Sequence, residues 1–277
     1  MILRLRFTFS VCLVIGVFSI AVLAQATPAP TPAPVPSPKE TPAPKPQKMD
    51  PANLTAEQVV EATIGFYGLP FGRQLLDQIR KTTLERGTAN ITNPEGKVDR
   101  VPYQRFIIRG SNLAKEKIRL DQEFPAARYS LVFSEEKIFG VYNNTIFTPR
   151  EDAIKVFENQ IVRGLEALLR YKENESKIEL VTREKVMGVD FHVIDVTDKQ
   201  GRQTRFFISA QRFRVMMLTY EDAGIKYKRK FYDYNYAQGT LVPYRTVLWA
   251  GDKIIEETEV GTITFGQKVD EGLFTAG

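Results

Sequence analysis

The chain has 277 residues, 38 Lys and Arg against 33 Asp and Glu, and one each of His, Cys and Trp. Its length permits one large domain or two small ones, and at 43% apolar with no extreme charge most of it is globular. The lone Cys excludes an intramolecular disulfide framework and a cysteine-based metal cluster, and the lone His excludes a multi-histidine metal site within one chain.

The first 26 residues read as a secretory signal peptide. Arg4 and Arg6 form a basic start, Phe7 to Leu23 is an apolar run, and Ala24-Gln25-Ala26 is a small-x-small cleavage site. Cleavage there removes Cys12, so the mature chain has no cysteine. The expected location is the periplasm, reached through the inner membrane. The alternative is an uncleaved segment that anchors the chain in the inner membrane.

Residues 27–49 form a proline-rich disordered linker, and nine of the chain's 16 prolines lie there. This composition cannot bury a core and favours an extended polyproline coil. Its 22 residues from Thr27 to Lys48 reach roughly 70 Å at about 3.1 Å per residue. Residues 50–277 have an ordinary composition with no second linker, and read as one domain.

That domain opens with a helix. Thr55 is a natural N-cap, with Gln58 as its capping-box partner. Val59, Val60, Thr63, Ile64 and Tyr67 then share one face. A second helical piece runs from Gly72 to Lys81. Strands follow, at Thr88–Thr92, Val101–Arg109, Lys115–Glu123, Arg128–Ser134 and Ile138–Thr148, the last broken at Asn143-Asn144. A single long helix from Pro149 or Arg150 to Arg170 carries Ile154, Phe157, Ile161, Leu165, Leu168 and Leu169 at helical spacing. Seven more strands fill Lys177 to Phe265, with turns at Met187-Gly188, Asp198–Gly201, Glu221–Gly224, Gln238-Gly239 and Ala250–Asp252. Nothing alternates as βαβ. The expected fold is mainly β (α+β): one large curled antiparallel sheet, or unclosed barrel, of about 11 strands with helices against one face.

No catalytic motif is present: no Gly-x-Ser-x-Gly elbow, no phosphate-cradling loop and no dinucleotide fingerprint. His192 lies within a strand, and no nucleophile is marked out beside it. The acid pairs Glu135/Glu136, Glu256/Glu257 and Asp195/Asp198 sit in turns or at alternating strand positions, where solvated charge is the default. The stretch Lys226 to Tyr232 mixes cations with aromatics. It reads as a solvated strand or a surface for anionic lipid headgroups rather than a nucleic-acid platform. Tyr232, Tyr234 and Tyr236 are expected on one strand face, as a ladder or a pocket wall. No enzyme activity, cofactor or metal is expected.

The order of these elements resembles a known family. Phe106-Ile107-Ile108-Arg109-Gly110 leads into Lys117-Ile118-Arg119-Leu120. Glu136 to Asn143 makes a turn and an aromatic strand before a helix. Leu241-Val242-Pro243, Thr258–Phe265 and Val269 to Phe274 close the chain. The pattern, over about Leu54 to Phe274, is similar to the periplasmic lipoprotein-sorting carriers of the LolA/LolB-like type. That resemblance implies an unclosed barrel with lid helices and an apolar cavity that takes up lipoprotein acyl chains, or another hydrophobic ligand, without chemistry. It also implies that an arginine at the end of an early strand latches the lid. Arg109 matches that position, although Gly110 stands where the family has proline. The candidate cavity or latch residues are Arg109, Phe106, Ile108, Phe133, Tyr142, Tyr232 and Tyr234. The implied partners are lipoproteins or acyl lipids, with transient contact to a membrane surface or envelope proteins, by a monomer. Two alternatives stand beside this reading: a tethered envelope sensor or interaction module of the same fold, and a hydrolase built on His192.

Overall fold

The computed structural model describes residues 54–93 and 95–275. The expected signal peptide (1–26) and linker (27–49) lie outside the described residues. Helix α1 (Ala56–Tyr67) begins at the predicted cap. The Thr55 hydroxyl accepts from the Gln58 backbone amide at 3.2 Å, and the Gln58 side chain accepts from the Thr55 amide at 2.8 Å. Helix α2 (Arg73–Ile79) follows and leads into the sheet.

The sheet has 13 antiparallel strands where the sequence predicts about 11. They are β1 (Thr82–Thr92), β2 (Val98–Ile108), β3 (Lys117–Glu123), β4 (Arg128–Ser134), β5 (Lys137–Tyr142), β6 (Thr145–Phe147), β7 (Lys177–Val186), β8 (Val189–Thr197), β9 (Gln203–Ser209), β10 (Val215–Asp222), β11 (Ile225–Ala237), β12 (Thr240–Ala250) and β13 (Lys253–Phe265). One extra strand arises where Asn143 and Asn144, both at positive φ, split Ile138–Thr148 into β5 and β6. Positive φ at both residues of Met187-Gly188, Ala223-Gly224 and Gln238-Gly239 makes those hairpin turns tight, as their sequences predict.

The chain enters the sheet at its centre. From β1 it steps outward through β2 to β6 at one edge. It then crosses to the opposite edge at β7 and steps back through β8 to β13, which pairs with β1. The sheet stays open, with β6 and β7 as its edges. The crossing is made by α3 (Glu151–Val162) and α4 (Leu165–Leu169). The sequence predicts one helix here, because the apolar spacing runs straight through. The structure breaks it at Arg163-Gly164. A Cβ on Gly164 would lie 2.8 Å from the Gln160 carbonyl oxygen, so the chain turns a corner that any larger residue would obstruct.

Two apolar cores form under the helices. Val59, Val60, Ile64 and Tyr67 of α1 and Ala167, Leu168 and Leu169 of α4 pack against Ile194, Phe206, Ile208, Val215, Leu218 and Phe231. Phe157 and Ile161 of α3 pack against Ala89, Tyr103, Ile118, Leu120, Leu131 and Phe133.

The expected tyrosine face is corrected. Asp233 has φ 52°, and it and Tyr244 opposite are left out of the ladder, which keeps its register with Tyr232 against Arg245 and Tyr234 against Pro243. The irregularity at Asp233 leaves the register unchanged but puts Tyr232 and Tyr234 in different surroundings. Tyr232 lies under the Arg245 guanidinium, 4.8 Å away, while Tyr234 turns toward α1.

Candidate functional site

A cavity of about 220 Å³ lies between the helices and the central strands. Its apolar walls include Phe157, Ile161 and Leu165 from the helices, and Ile107, Ile118, Phe231, Val260, Ile263 and Phe265 from the sheet. It is not purely apolar. Arg80, Arg105, Arg109 and Arg229 line it together with Glu85, Glu116, Glu166 and Glu256.

The charges are arranged around α4. Glu166, near its start, is gripped by two arginines from the body of the fold. Arg80 Nη1 donates to Oε1 at 2.7 Å, and Arg109 Nη2 donates to Oε2 at 2.8 Å. Arg80 also donates to the Leu241 carbonyl at 3.0 Å. One helical turn after Glu166, Arg170 reaches the opposite way, pairing with Glu116 and donating to the Gly110 carbonyl at 2.7 Å. The helix thus offers an acid to two bases and a base to one acid. Arg80, Glu116 and Arg170 are all at most 7% exposed.

Electrostatics separates the two acids. Burial and the neighbouring Glu166 carboxylate push Glu116 up to about 7, against the pull of Arg109 and Arg170. Burial also works against ionised Glu166, but Arg109 and Arg80 outweigh it and hold that carboxyl down to about 2. Glu166 is therefore a fixed anion.

The base of α3 is held separately. Tyr103 Oη and Arg105 both donate to Glu85, and Gln160 links α3 to Glu256 at 2.9 Å. A second cavity, of about 270 Å³, lies beside the first and is lined by Phe133, Val162, Ala167, Val196, Asn174 and Arg202 among others. Leu113 and Ile161 line both cavities and so form the partition between them. Leu113 sits in a short 3-10 turn (Leu113–Lys115), with its amide donating to Asn174 Oδ1 at 2.9 Å.

The structure brings together only some of the residues singled out from sequence. Arg109 lines the first cavity and binds Glu166, and Phe133 lines the second. Phe106 and Ile108 alternate with Arg105, Ile107 and Arg109 on β2 and line neither cavity. Tyr142 is 48% exposed at the end of β5. Tyr232 lines neither cavity. Tyr234 belongs to the packing under α1, edge-on to Tyr67, and its hydroxyl bonds the Tyr67 hydroxyl and the Val215 carbonyl.

Sequence reasoning does not find Arg80, Glu116, Glu166 or Arg170. One signal was available: Glu166 interrupts the otherwise apolar Leu165–Leu169 segment and Arg170 follows it, at a spacing of four. That pattern ordinarily marks an exposed pair on one helix. Here each partner faces a different group.

His192 is 3% exposed and stacks on Phe213 with ring centres 5.9 Å apart. Burial, with Arg183 nearby, lowers its pKa, and Nδ1 has no hydrogen-bond partner. Asp195 is engaged by Arg205 and Gln203, and Glu257 by Arg245. Among the described residues no group of three His, Cys, Asp or Glu could hold a metal ion. Among them no helix is long and apolar enough to cross a membrane.

No protein-family model matches the chain, and no curated protein matches it in sequence. Solved structures do match in shape. A LolA superfamily protein from Nitrosomonas europaea superposes with a TM-score of 0.57 at 11% identity, covering 80% of this chain and 98% of that one. A DUF1329 family protein from Desulfovibrio piger gives 0.55 at 14% identity, over 78% and 97% of the two chains. A domain from Vibrio parahaemolyticus, described as an outer membrane lipoprotein-sorting protein domain, gives 0.50 at 10% identity, over 73% and 92%. The fold is LolA/LolB-like.

Proposed function

We propose that this protein is a non-enzymatic binder or carrier of an acyl-bearing amphiphile in the cell envelope, lipoprotein acyl chains being one candidate cargo. The carrying observation is the cavity between the sheet and α3–α4, whose helix side is fastened by ion pairs rather than sealed by packing alone. In this reading the signal segment exports the chain and the proline run spaces the domain from whatever holds its N-terminus. The Nitrosomonas and Vibrio likenesses support the choice of a carrier.

Magnitudes favour a lid that opens. At about 220 Å³ the first cavity is smaller than the ~300–1,000 Å³ of ordinary ligand pockets. An acyl chain must therefore displace α4 or the Leu113 partition. Separating a buried ion pair costs ~3–5 kcal/mol. Lifting α4 breaks such pairs at both Glu166 and Arg170, and each methylene buried returns only ~0.8 kcal/mol, so a long chain can offset the cost and a short one cannot.

The test is uptake of a fluorescent long-chain fatty acid by the mature protein, with native mass spectrometry of protein purified from its own cells. Saturable uptake of the long chain, weak uptake of a short one, and a co-purifying amphiphile are expected. No uptake and no bound amphiphile would refute the carrier reading.

A further inference from the structure

The closed form contains an internal carboxylate where a ligand headgroup would fit. Glu166 presents its two oxygens to Arg80 and Arg109, one to each guanidinium, at 2.7 and 2.8 Å. Guanidinium donors match carboxylate and phosphate oxygens in this way. The arginines come from the end of α2 and the end of β2 and do not move with α4. Glu166 belongs to α4 and leaves with it.

Lifting α4 would strand two cations in a cavity. Arg80 is 7% exposed, and the Nε atoms of Arg80 and Arg109 are buried with no hydrogen-bond partner even in the closed form. A third cavity arginine, Arg229, also has a buried and unpartnered Nε, and pairs with no carboxylate among the described residues. The remaining cavity acids are committed elsewhere: Glu85 to Tyr103 and Arg105, Glu256 to Gln160 and Thr258. Glu116 loses Arg170 when α4 lifts. Its burial disfavours the charged form, so it is a poor replacement for Glu166 as counter-ion. Unpaired buried charge is strongly unfavourable, so opening without a replacement anion is suppressed.

We propose that Arg80 and Arg109 form the receptor for the anionic headgroup of the amphiphile, a carboxylate or a phosphate, and that Glu166 occupies this receptor as an internal stand-in until the ligand displaces it. The proposal rests on the carrier reading above and names its ligand class: acidic amphiphiles, not neutral ones. The tail has apolar walls beside the receptor. The Phe265 ring lies 5.4 Å from the Arg80 guanidinium, and Ile263, Val260 and Ile107 of the sheet line the same cavity. Displacement explains how one site both stays shut when empty and opens for cargo. The ligand supplies the charge that the departing helix removes.

Titration calorimetry on the mature protein tests this with three probes sharing one oleoyl tail: oleate, oleoyl lysophosphatidate and oleyl alcohol. The wild type should bind at least one of the two anions about tenfold tighter than the alcohol, and the tighter of them identifies the headgroup source. Glu166→Gln should tighten the anions by a similar factor and the alcohol much less, because a tail without charge can enter past Leu113 with residue 166 still on the arginines. Arg80→Gln combined with Arg109→Gln should erase the preference. Equal binding of the alcohol and both anions by the wild type overturns the headgroup receptor while leaving the carrier reading intact. If Glu166→Gln strengthens the alcohol as much as the anions, Glu166 is a latch only and the stand-in role is overturned. If none of the probes binds, the carrier reading itself falls. The wild-type comparison decides the matter even where the double variant fails to fold.

Discussion

Helix α4 separates two regions built on opposite physics. On one side Ala167, Leu168 and Leu169 enter a dry core with Phe206, Ile208 and Leu218. On the other, Glu166 and Arg170 reach into a network of buried charges around a cavity. Apolar contacts in the first region have no substitute outside the fold, so separating them exposes area to water at ~25 cal/mol per Å². Charged contacts in the second can be exchanged for an anion, a proton or water. Buried ion pairs add little net stability over apolar packing but fix a geometry. The fold thus gives α4 one face that a ligand headgroup or water can replace and one that resists its displacement.

Truncation in the dry core should have the largest effect. Phe206 has no exposed surface and lies beneath α1 and α4. Phe206→Ala is expected to cost ~3–5 kcal/mol, read as a fall in the urea midpoint. Its ligand selectivity, measured where the variant is still folded, should be unchanged. A shift in selectivity would show that the two regions are not separable.

Arg109→Leu should act the other way. Glu166 keeps Arg80, so the global loss is expected to be only ~1–2 kcal/mol, below the cost of leaving a buried charge wholly unpaired. Amide exchange should speed up in α4 and stay unchanged in β9 and β10. Uniform acceleration through the sheet would mean that Arg109 is an ordinary structural contact.

The comparison also explains what could be read from the sequence. The dry region announces itself through periodicity and capping: Thr55, Gln58 and the Val59 to Tyr67 face are where the pattern puts them. The Asn143-Asn144 break is legible because such residues tolerate positive φ. The corner at Gly164 is not, because Ile161 and Leu165 keep helical spacing across it. Nor is the positive φ at Asp233, beside which Tyr232 and Tyr234 find different partners. The charged region is almost silent. Arg80, Glu116, Glu166 and Arg170 are separated by up to 90 positions and look like surface residues, and only their three-dimensional meeting gives them a role. Arg109 stands out through family resemblance, not through any local pattern.

Acidity offers a gentler probe of the charged side. Glu116 faces Arg170 at the end of α4, Glu166 on α4 and Arg109 at the end of β2. Its carboxyl is pushed from 4.5 up to about 7, so the folded state favours the protonated form more than the unfolded chain does. The stability this contributes is complete below the unfolded value and is lost as pH rises through the folded one. Glu116 therefore makes stability decline as pH rises from about 4.5 to about 7. In Glu116→Gln that part of the slope should flatten. An unchanged slope would show that the pair with Arg170 already compensates the buried charge.

The smallest stability effect and the clearest functional one should come from Leu113. It is half-buried on a three-residue 3-10 turn at the margin of the larger core, so Leu113→Ala should cost only ~1 kcal/mol. Yet it forms, with Ile161, the partition between cavities of about 220 and 270 Å³. Neither alone reaches the ~300 Å³ lower bound of common ligand sites, whereas the two joined exceed it. Ile161 is anchored in the core beneath α3, while Leu113 is held through its backbone to Asn174. Leu113 is therefore the movable half of the wall. Its truncation should raise affinity for long acyl chains and leave short ones unaffected, read by titrating a series of saturated fatty acids. A gain independent of chain length would mean that the second cavity takes no part in binding, and would confine the cargo to the charged side of α4.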